Sequence, residues 1–171
     1  MTSISMTKYL KNIENATASE VYSSNGVLMG KYFKENRVNV GLNEISDHFK
    51  NALVATEDAR FFEHRGIDVR AWVRVFFKTI LMQDQSGGGG STISQQLAKN
   101  LFKRKRHRVL EVPINKIREM MVARRLENIY SKDELLALYL NTVPFSRNIY
   151  GVQVASQQFF NNTPTDIIIP V

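Results

Sequence analysis

Three short stretches of the chain carry residue types whose spacing could support chemistry. The first is Glu57-Asp58-Ala59-Arg60-Phe61-Phe62-Glu63-His64-Arg65-Gly66. A helical rotation of about 100° per residue would bring Phe49, Leu53, Glu57 and Phe61 near one another along a slowly drifting face. A carboxylate among such neighbours would be partly desolvated, which strengthens its hold on a proton and suits it to act as a base near neutral pH. The same residues also read as a surface acid paired with Arg60 or Arg65. His64 reads as a hydrogen-bonding histidine at a helix end, since His48 and His107 are too distant in sequence to form a ligand pair with it.

The second stretch is Gly89-Gly90-Ser91-Thr92-Ile93-Ser94-Gln95-Gln96-Leu97-Ala98-Lys99-Asn100. Glycines ahead of a capped helix present N–H groups and the positive end of a helix dipole, a favourable place for phosphate. Gln96, Lys99 and Asn100 recur three and four residues apart, giving one face an amide, an ammonium and a second amide. A flexible Gly/Ser linker with a solvated helix behind it is the plainer reading. No Gly-Lys-Ser/Thr ending is present, so this is not a nucleotide P-loop. The third stretch, Lys116-Ile117-Arg118-Glu119, places an acid one turn after a lysine with Ala123 next on that face. An exposed ion pair is its default reading.

The elements that must hold these groups are mostly helical. Met1 to Ser19 reads as a polar lead-in. Val21-Tyr22 and Val27-Leu28-Met29 flank Asn25-Gly26, which predicts a β-hairpin over Glu20 to Phe33, and Arg37 to Val40 can add a short extended piece. Ser46 is expected to cap a helix bearing Phe49, Leu53 and Phe61, closed by Gly66. Asp68 caps the next, with Val69, Trp72, Val73, Phe76 and Ile80 on a buried stripe. Thr92 to Gln95 and Ser131 to Glu134 are capping-box patterns opening helices toward Leu101 and Leu140. Pro113 at a first helical position starts a long helix through Ile114, Ile117, Met121 and Leu126, and a last helix is expected over Ile149 to Phe160.

Composition narrows the partners. The chain of 171 residues is 43% apolar and 23% charged, which excludes wholesale disorder. Cysteine is absent, removing disulfides, thiolate metal sites and cysteine nucleophiles. The formal charge of +7, concentrated in Lys103-Arg104-Lys105-Arg106-His107-Arg108, favours nucleic acid, acidic lipid or a phosphorylated substrate. No apolar run approaches the roughly 20 residues that span a bilayer. Ile167-Ile168-Ile169 beside the terminus is expected to begin something that packs, so the end reads as cut.

Taken together, these motifs resemble the peptidoglycan glycosyltransferase (transglycosylase) domain of class A penicillin-binding proteins and their monofunctional relatives. The pattern Glu-Asp-x-x-Phe-x-x-His-x-Gly is matched by Glu57, Asp58, Phe61, His64 and Gly66. The pattern Gly-x-Ser-Thr-Ile-x-Gln-Gln-x-x-Lys-Asn is matched at each fixed position from Gly89 to Asn100. A third, basic-Lys-x-x-Glu, is met by Lys116 and Glu119, although Asn115 stands at its basic place. A later Leu-Glu-x-x-Tyr-Ser-Lys-x-Glu segment appears as Leu126 to Glu134, followed by Tyr139-Leu140-Asn141. Departures include Ser146 where glycine is usual, Gln153 where an acid is common, and Asn161-Asn162 where Gly-Lys often follows the aromatic pair.

The resemblance implies a mainly α, lysozyme-like glycosyltransferase domain over residues 20–171, with a small N-terminal hairpin and its last helices missing. It implies transfer of a growing undecaprenyl-pyrophosphate-linked strand onto the 4-hydroxyl of lipid II, with inversion at the anomeric carbon. Glu57 would be the general base. Glu119 would support the donor side, positioning Lys116 or holding a divalent cation such as magnesium. Asp58, Phe61, His64, Thr92, Gln96, Lys99, Asn100 and Lys116 would line or shape the substrate cleft, with a base of the 103–108 run on the pyrophosphate. The expected location is the periplasmic face of a bacterial cytoplasmic membrane, touching the membrane surface, with a fused or associated transpeptidase domain. A lysozyme-like glycan-cleaving enzyme is the rival enzymatic reading, and it would need a general acid for its sugar leaving group. A basic nucleic-acid-binding module is the rival from another class; no groove-reading motif accompanies the basic run, so no nucleic-acid partner is expected. An inactive fragment is the third.

Overall fold

In the computed structural model, described for residues 3–13, 15, 19–32, 35–77, 90–102 and 111–167, the chain is mainly helical. Seven helices occur among these residues: α1 (Ser3–Lys11), α2 (Asp47–Glu57), α3 (Val69–Phe76), α4 (Ile93–Leu101), α5 (Glu111–Ile129), α6 (Lys132–Thr142) and α7 (Val152–Phe160). Two antiparallel two-stranded sheets accompany them, β1 (Ser19–Tyr22) with β2 (Leu28–Tyr32), and β3 (Pro144–Ser146) with β4 (Ile149–Tyr150). The basic run 103–108, Gly89 and residues 168–171 lie outside the described residues.

Side-chain caps start the helices where the sequence places them. Ser46, Asp68, Thr92 and Ser131 each accept a bond from the backbone N–H three residues on, covering a donor that the first turn would leave unpaired. The box at Ser131 is reciprocal, with Glu134 accepting from the Ser131 N–H at 2.7 Å. At Thr92 it is not, because the Gln95 amide turns inward and donates to the Gly66 carbonyl at 3.3 Å.

The core is built around α4, which packs against both α5 and α6. Ile93 and Leu97 meet Leu126, Leu135, Leu140 and the ring of Phe61, all shielded from water. The segment expected as a polar lead-in joins this core. Leu10 of α1 is 0% exposed, and its carbonyl accepts from the Tyr130 hydroxyl at 2.7 Å. Of the stretch expected as a polar lead-in, Met6 and Leu10 of α1 and Ile13 just beyond its end pack toward the core.

Other expectations shift in ways the packing explains. α2 ends at Glu57, and Phe61 lies in the turn beyond it rather than on the helix. Of the expected α3 stripe, Val69, Trp72 and Val73 face outward, at 67%, 38% and 49% exposure, and Ile80 lies outside the described residues. On α5, Ile114, Ile117 and Met121 are exposed too, while Asn115, Glu119, Val122, Ala123 and Leu126 form the buried side. α5 is already helical at Glu111, so Pro113 is not its first helical residue. Ile149-Tyr150 pairs with β3, and α7 begins only after Gly151, which takes a φ of 77°. The hairpin forms as expected, its turn closed by the Gly26 N–H on the Ser23 carbonyl at 2.9 Å with Gly26 at a φ of 79°. Arg37 to Val40 adds no strand; the Asn141 amide instead donates to and accepts from Val40, both at 2.9 Å.

Gly66 lies in a close backbone crossing. Its φ is 84°, and a Cβ there would lie 2.9 Å from the Ala123 carbonyl carbon of α5. Gly66→Ala should therefore lose about 3 kcal/mol, combining left-handed strain with overpacking. Urea unfolding with an unchanged denaturant slope checks it.

Candidate functional site

The turn after α2 is organised by one buried carboxylate. Asp58 accepts from the Ile93 N–H at 3.0 Å, at the positive end of α4. Both its oxygens also lie 3.0 Å from His64 Nε2. His64 Nδ1 accepts from the Gly66 N–H at 3.2 Å, so that nitrogen carries no proton and Nε2 is the donor to Asp58. The Thr92 hydroxyl donates to the Gly66 carbonyl at 2.8 Å and so joins the same knot. Phe61 fills the space beneath, with the Lys132 ammonium 4.3 Å from its ring centre. That ammonium also donates to the His64 carbonyl at 2.7 Å and bonds Glu127.

This knot corrects part of the expected substrate wall. Phe61 and His64 face the interior, and the polar atoms of Asp58, His64 and Thr92 are taken by backbone and one another. Asp58 and Thr92 border the neighbouring cavity, but their side-chain oxygens support its shape.

That cavity, of about 180 Å³, lies between the end of α2, the start of α3 and the segment leading into α4. Glu57, Arg60, Asp68, Arg74, Gly90 and Ser91 line it. Asp68 is bound by the Arg60 guanidinium at 2.7 and 3.0 Å and caps α3. Burial works against its charge, but the Ala71 N–H and Arg60 outweigh it and hold its carboxyl below the ordinary value of 3.8.

Glu57 ends α2 at the cavity edge and is exposed, so the expected shielding by Phe49, Leu53 and Phe61 is absent. Once α2 stops, Phe61 leaves that face for the core. Glu57 Oε2 accepts from Gln96 Nε2 at 2.8 Å, and Gln96 Oε1 accepts from the Tyr139 hydroxyl at 3.0 Å. Burial, and secondarily the Glu57 carboxylate, push the Tyr139 hydroxyl up to about 12, so it stays a donor.

Lys116 reaches across from α5 to the Ser91 hydroxyl at 2.6 Å, carrying a cation to the cavity's other side. Its ammonium is 3.8 Å from buried Glu119 and 5.8 Å from the Trp72 ring centre. Glu119 itself borders a separate small pocket with Asn115 and Arg118, so Glu57 and Glu119 do not face each other across one cleft. Lys99 and Asn100 are exposed on α4 and border neither pocket. For a divalent cation, the donor set around Glu119 is one carboxylate beside an ammonium. No group of three His, Asp or Glu side chains suited to a metal occurs among the described residues, and this arrangement does not fit a resident ion. Arg60, Asp68, Arg74 and Tyr139 are site residues that sequence reasoning missed. Arg74 carried a signal as a cation among the apolar residues of α3; Tyr139 stood in a family-like Tyr-Leu-Asn segment, but only the fold brings it to Gln96.

A family model described as transglycosylase matches residues 25–170. The chain is 40% identical over 155 residues to penicillin-binding protein 1F of Bacillus subtilis, covering 89% of this chain and 21% of that protein. It is 36% identical over 154 residues to penicillin-binding protein 1A of Escherichia coli, covering 90% and 18%. With the biosynthetic peptidoglycan transglycosylase of Nitrosomonas eutropha it shares 40% over 121 residues, covering 71% and 48%. The chain thus spans about a fifth of the length of these penicillin-binding relatives.

Asp58→Ala leaves the Ile93 N–H and His64 Nε2–H without an acceptor and should cost about 3 kcal/mol in urea unfolding. Asp68, whose carboxyl is depressed on folding, adds stability above pH 3.8 that fades as pH falls through its lower folded value. The stability gap between wild type and Asp68→Asn should accordingly be constant near neutrality and shrink only in that acid window, as measured by unfolding across pH.

Proposed function

The chain belongs to the transglycosylase family, and on that basis we propose that it polymerises peptidoglycan glycan strands. The observation that carries the reading is the pairing, around one cavity, of an accessible carboxylate at Glu57 with the cations Arg74 and, through Ser91, Lys116. Of the carboxylates bordering that cavity, Asp58 and Asp68 are committed to His64, Ile93, Arg60 and Ala71. Glu57 gives Oε2 to Gln96, and its Oε1 meets no protein donor among the described residues. Such an oxygen can take the proton of an acceptor alcohol.

In the proposed step, Glu57 removes the proton from the 4-hydroxyl of lipid II as that oxygen attacks the anomeric carbon of the donor strand. The bond from that carbon to the undecaprenyl diphosphate oxygen breaks, the centre inverts, and a β-1,4 link forms. The leaving group departs already charged, so it needs cations more than a proton. Lys116 and Arg74 supply them, and Glu119 holds Lys116 in place. A glycan-cleaving reaction would need a protonated acid at the leaving oxygen, and Asp58 and Asp68 are both engaged as acceptors.

A membrane surface on the periplasmic side is part of the proposal. Val69, Trp72, Val73 and Phe77 at α3, with Val112, Ile114, Ile117 and Met121 on α5, expose apolar side chains near the cavity, and Arg70, Arg74 and Lys116 lie among them. Apolar faces with basic residues between them suit an anionic bilayer interface. No helix among the described residues is long and apolar enough to cross a membrane. A transpeptidase domain in the same or an associated protein belongs to the proposal as well.

Glu57→Gln should lower strand formation on lipid II by about 10³-fold, with circular dichroism and unfolding midpoint unchanged. Near-normal turnover would remove Glu57 from the mechanism. The emission of Trp72 should shift to the blue with vesicles containing phosphatidylglycerol and not with neutral ones; equal response to both would argue against the basic interface.

A further inference from the structure

Gln96 stands between two residues that lie 39 and 43 positions from it in sequence, Glu57 and Tyr139. We infer that Tyr139 is a positioning residue for Glu57, acting through the side-chain amide of Gln96. The inference rests on the reading of Glu57 as base and adds to it a residue of α6 to which the resemblance gave no role in the cavity.

The two ends of an amide have nearly the same shape and opposite hydrogen-bonding character. With Nε2 toward Glu57, the amide donates to the carboxylate at 2.8 Å and its oxygen accepts from the Tyr139 hydroxyl at 3.0 Å. Turned over, its oxygen would face the ionised carboxylate, and the bond would become a repulsion. Gln96 is half-buried beside solvent, so water could satisfy either orientation, and Glu57 itself is exposed. Tyr139 is different: it is 5% exposed and packed in the core cluster with Leu135 and Leu140. Its hydroxyl is therefore the rigid end of the chain of bonds, and it transmits the position of the core to a carboxylate that lacks shielding of its own. One carboxylate oxygen is held in this way, and the other is left directed at the acceptor. A reacting oxygen displaced by a fraction of an ångström loses much of the benefit of alignment, which gives this positioning its kinetic weight.

Tyr139→Phe removes the hydroxyl and keeps the buried ring. It should lower kcat for strand formation on lipid II about tenfold with KM nearly unchanged, because no substrate contact is lost. In ¹⁵N spectra of the chain, the Gln96 side-chain amide pair, assigned by its loss in Gln96→Leu, should move toward the position of a solvated amide. In a Gln96→Leu background, Tyr139→Phe should have no further effect on kcat, whereas a merely structural tyrosine would give additive losses. The inference is overturned if Tyr139→Phe leaves both kcat and the Gln96 resonances at their wild-type values, or if the two substitutions add. Should Glu57→Gln retain activity, the reading of Glu57 as base fails by itself, and the amide resonances still report on whether Tyr139 orients Gln96.

Discussion

The arrangement depends on a negative charge buried at the first turn of α4. Asp58 follows the last residue of α2, and its carboxylate bonds the Ile93 N–H and the His64 ring. A buried anion is tolerable only when its oxygens are engaged, and here the donors come from two different parts of the chain. The carboxylate thus pins the end of one helix to the start of another. Glu57 and Gln96, one residue before Asp58 and three after Ile93, are brought to 2.8 Å by that pinning. His64, Gly66 and Thr92 complete the same junction, and Gly66 lets it lie flat against Ala123 of α5.

The motif residues consequently divide by depth. Asp58, Phe61, His64 and Thr92 maintain the junction; Glu57, Gln96, Ser91 and Lys116 face the cavity or its rim. Residue type alone does not separate these groups, since an aspartate or histidine in a motif can serve either a substrate or the backbone. The separation comes from hydrogen bonds between segments distant in sequence.

Local signals were the legible ones. Each expected cap, at Ser46, Asp68, Thr92 and Ser131, starts a helix, because a cap needs only a side-chain oxygen and an N–H three residues away. The hairpin was legible through Asn25-Gly26 for the same reason. Faces were harder. The apolar spacing of α3 and of Ile114, Ile117 and Met121 is genuine but points outward, while α5 buries Asn115 and Glu119 instead. Periodicity reveals an apolar side without saying what it meets. α1 was overlooked because Met6, Leu10 and Ile13 are diluted by polar neighbours, although their spacing is helical. The burial expected of Glu57 failed on a boundary: it required α2 to run on to Phe61, and Asp58 ends it. Tyr139 and Arg60 acquire their site roles only through the fold.

The bond pair between Asn141 and Val40 has its own consequence. A side-chain amide there does the work of a neighbouring strand, offering one donor and one acceptor to a single residue of an extended segment. A strand partner would zip the segment along its length, whereas this one is held at separate points: the latch at Val40, the Tyr150 N–H on the Asn36 carbonyl at 3.1 Å, and buried Arg37 donating to the Thr142 carbonyl at 3.4 Å. Opening the Val40 latch alone exposes few backbone groups and leaves α6 intact, so it can open locally below the free energy of global unfolding, whereas releasing the whole stretch would also uncover buried Arg37 and Ile45. Amide hydrogen exchange at Val40 should then run faster than in the α6 helix beside it.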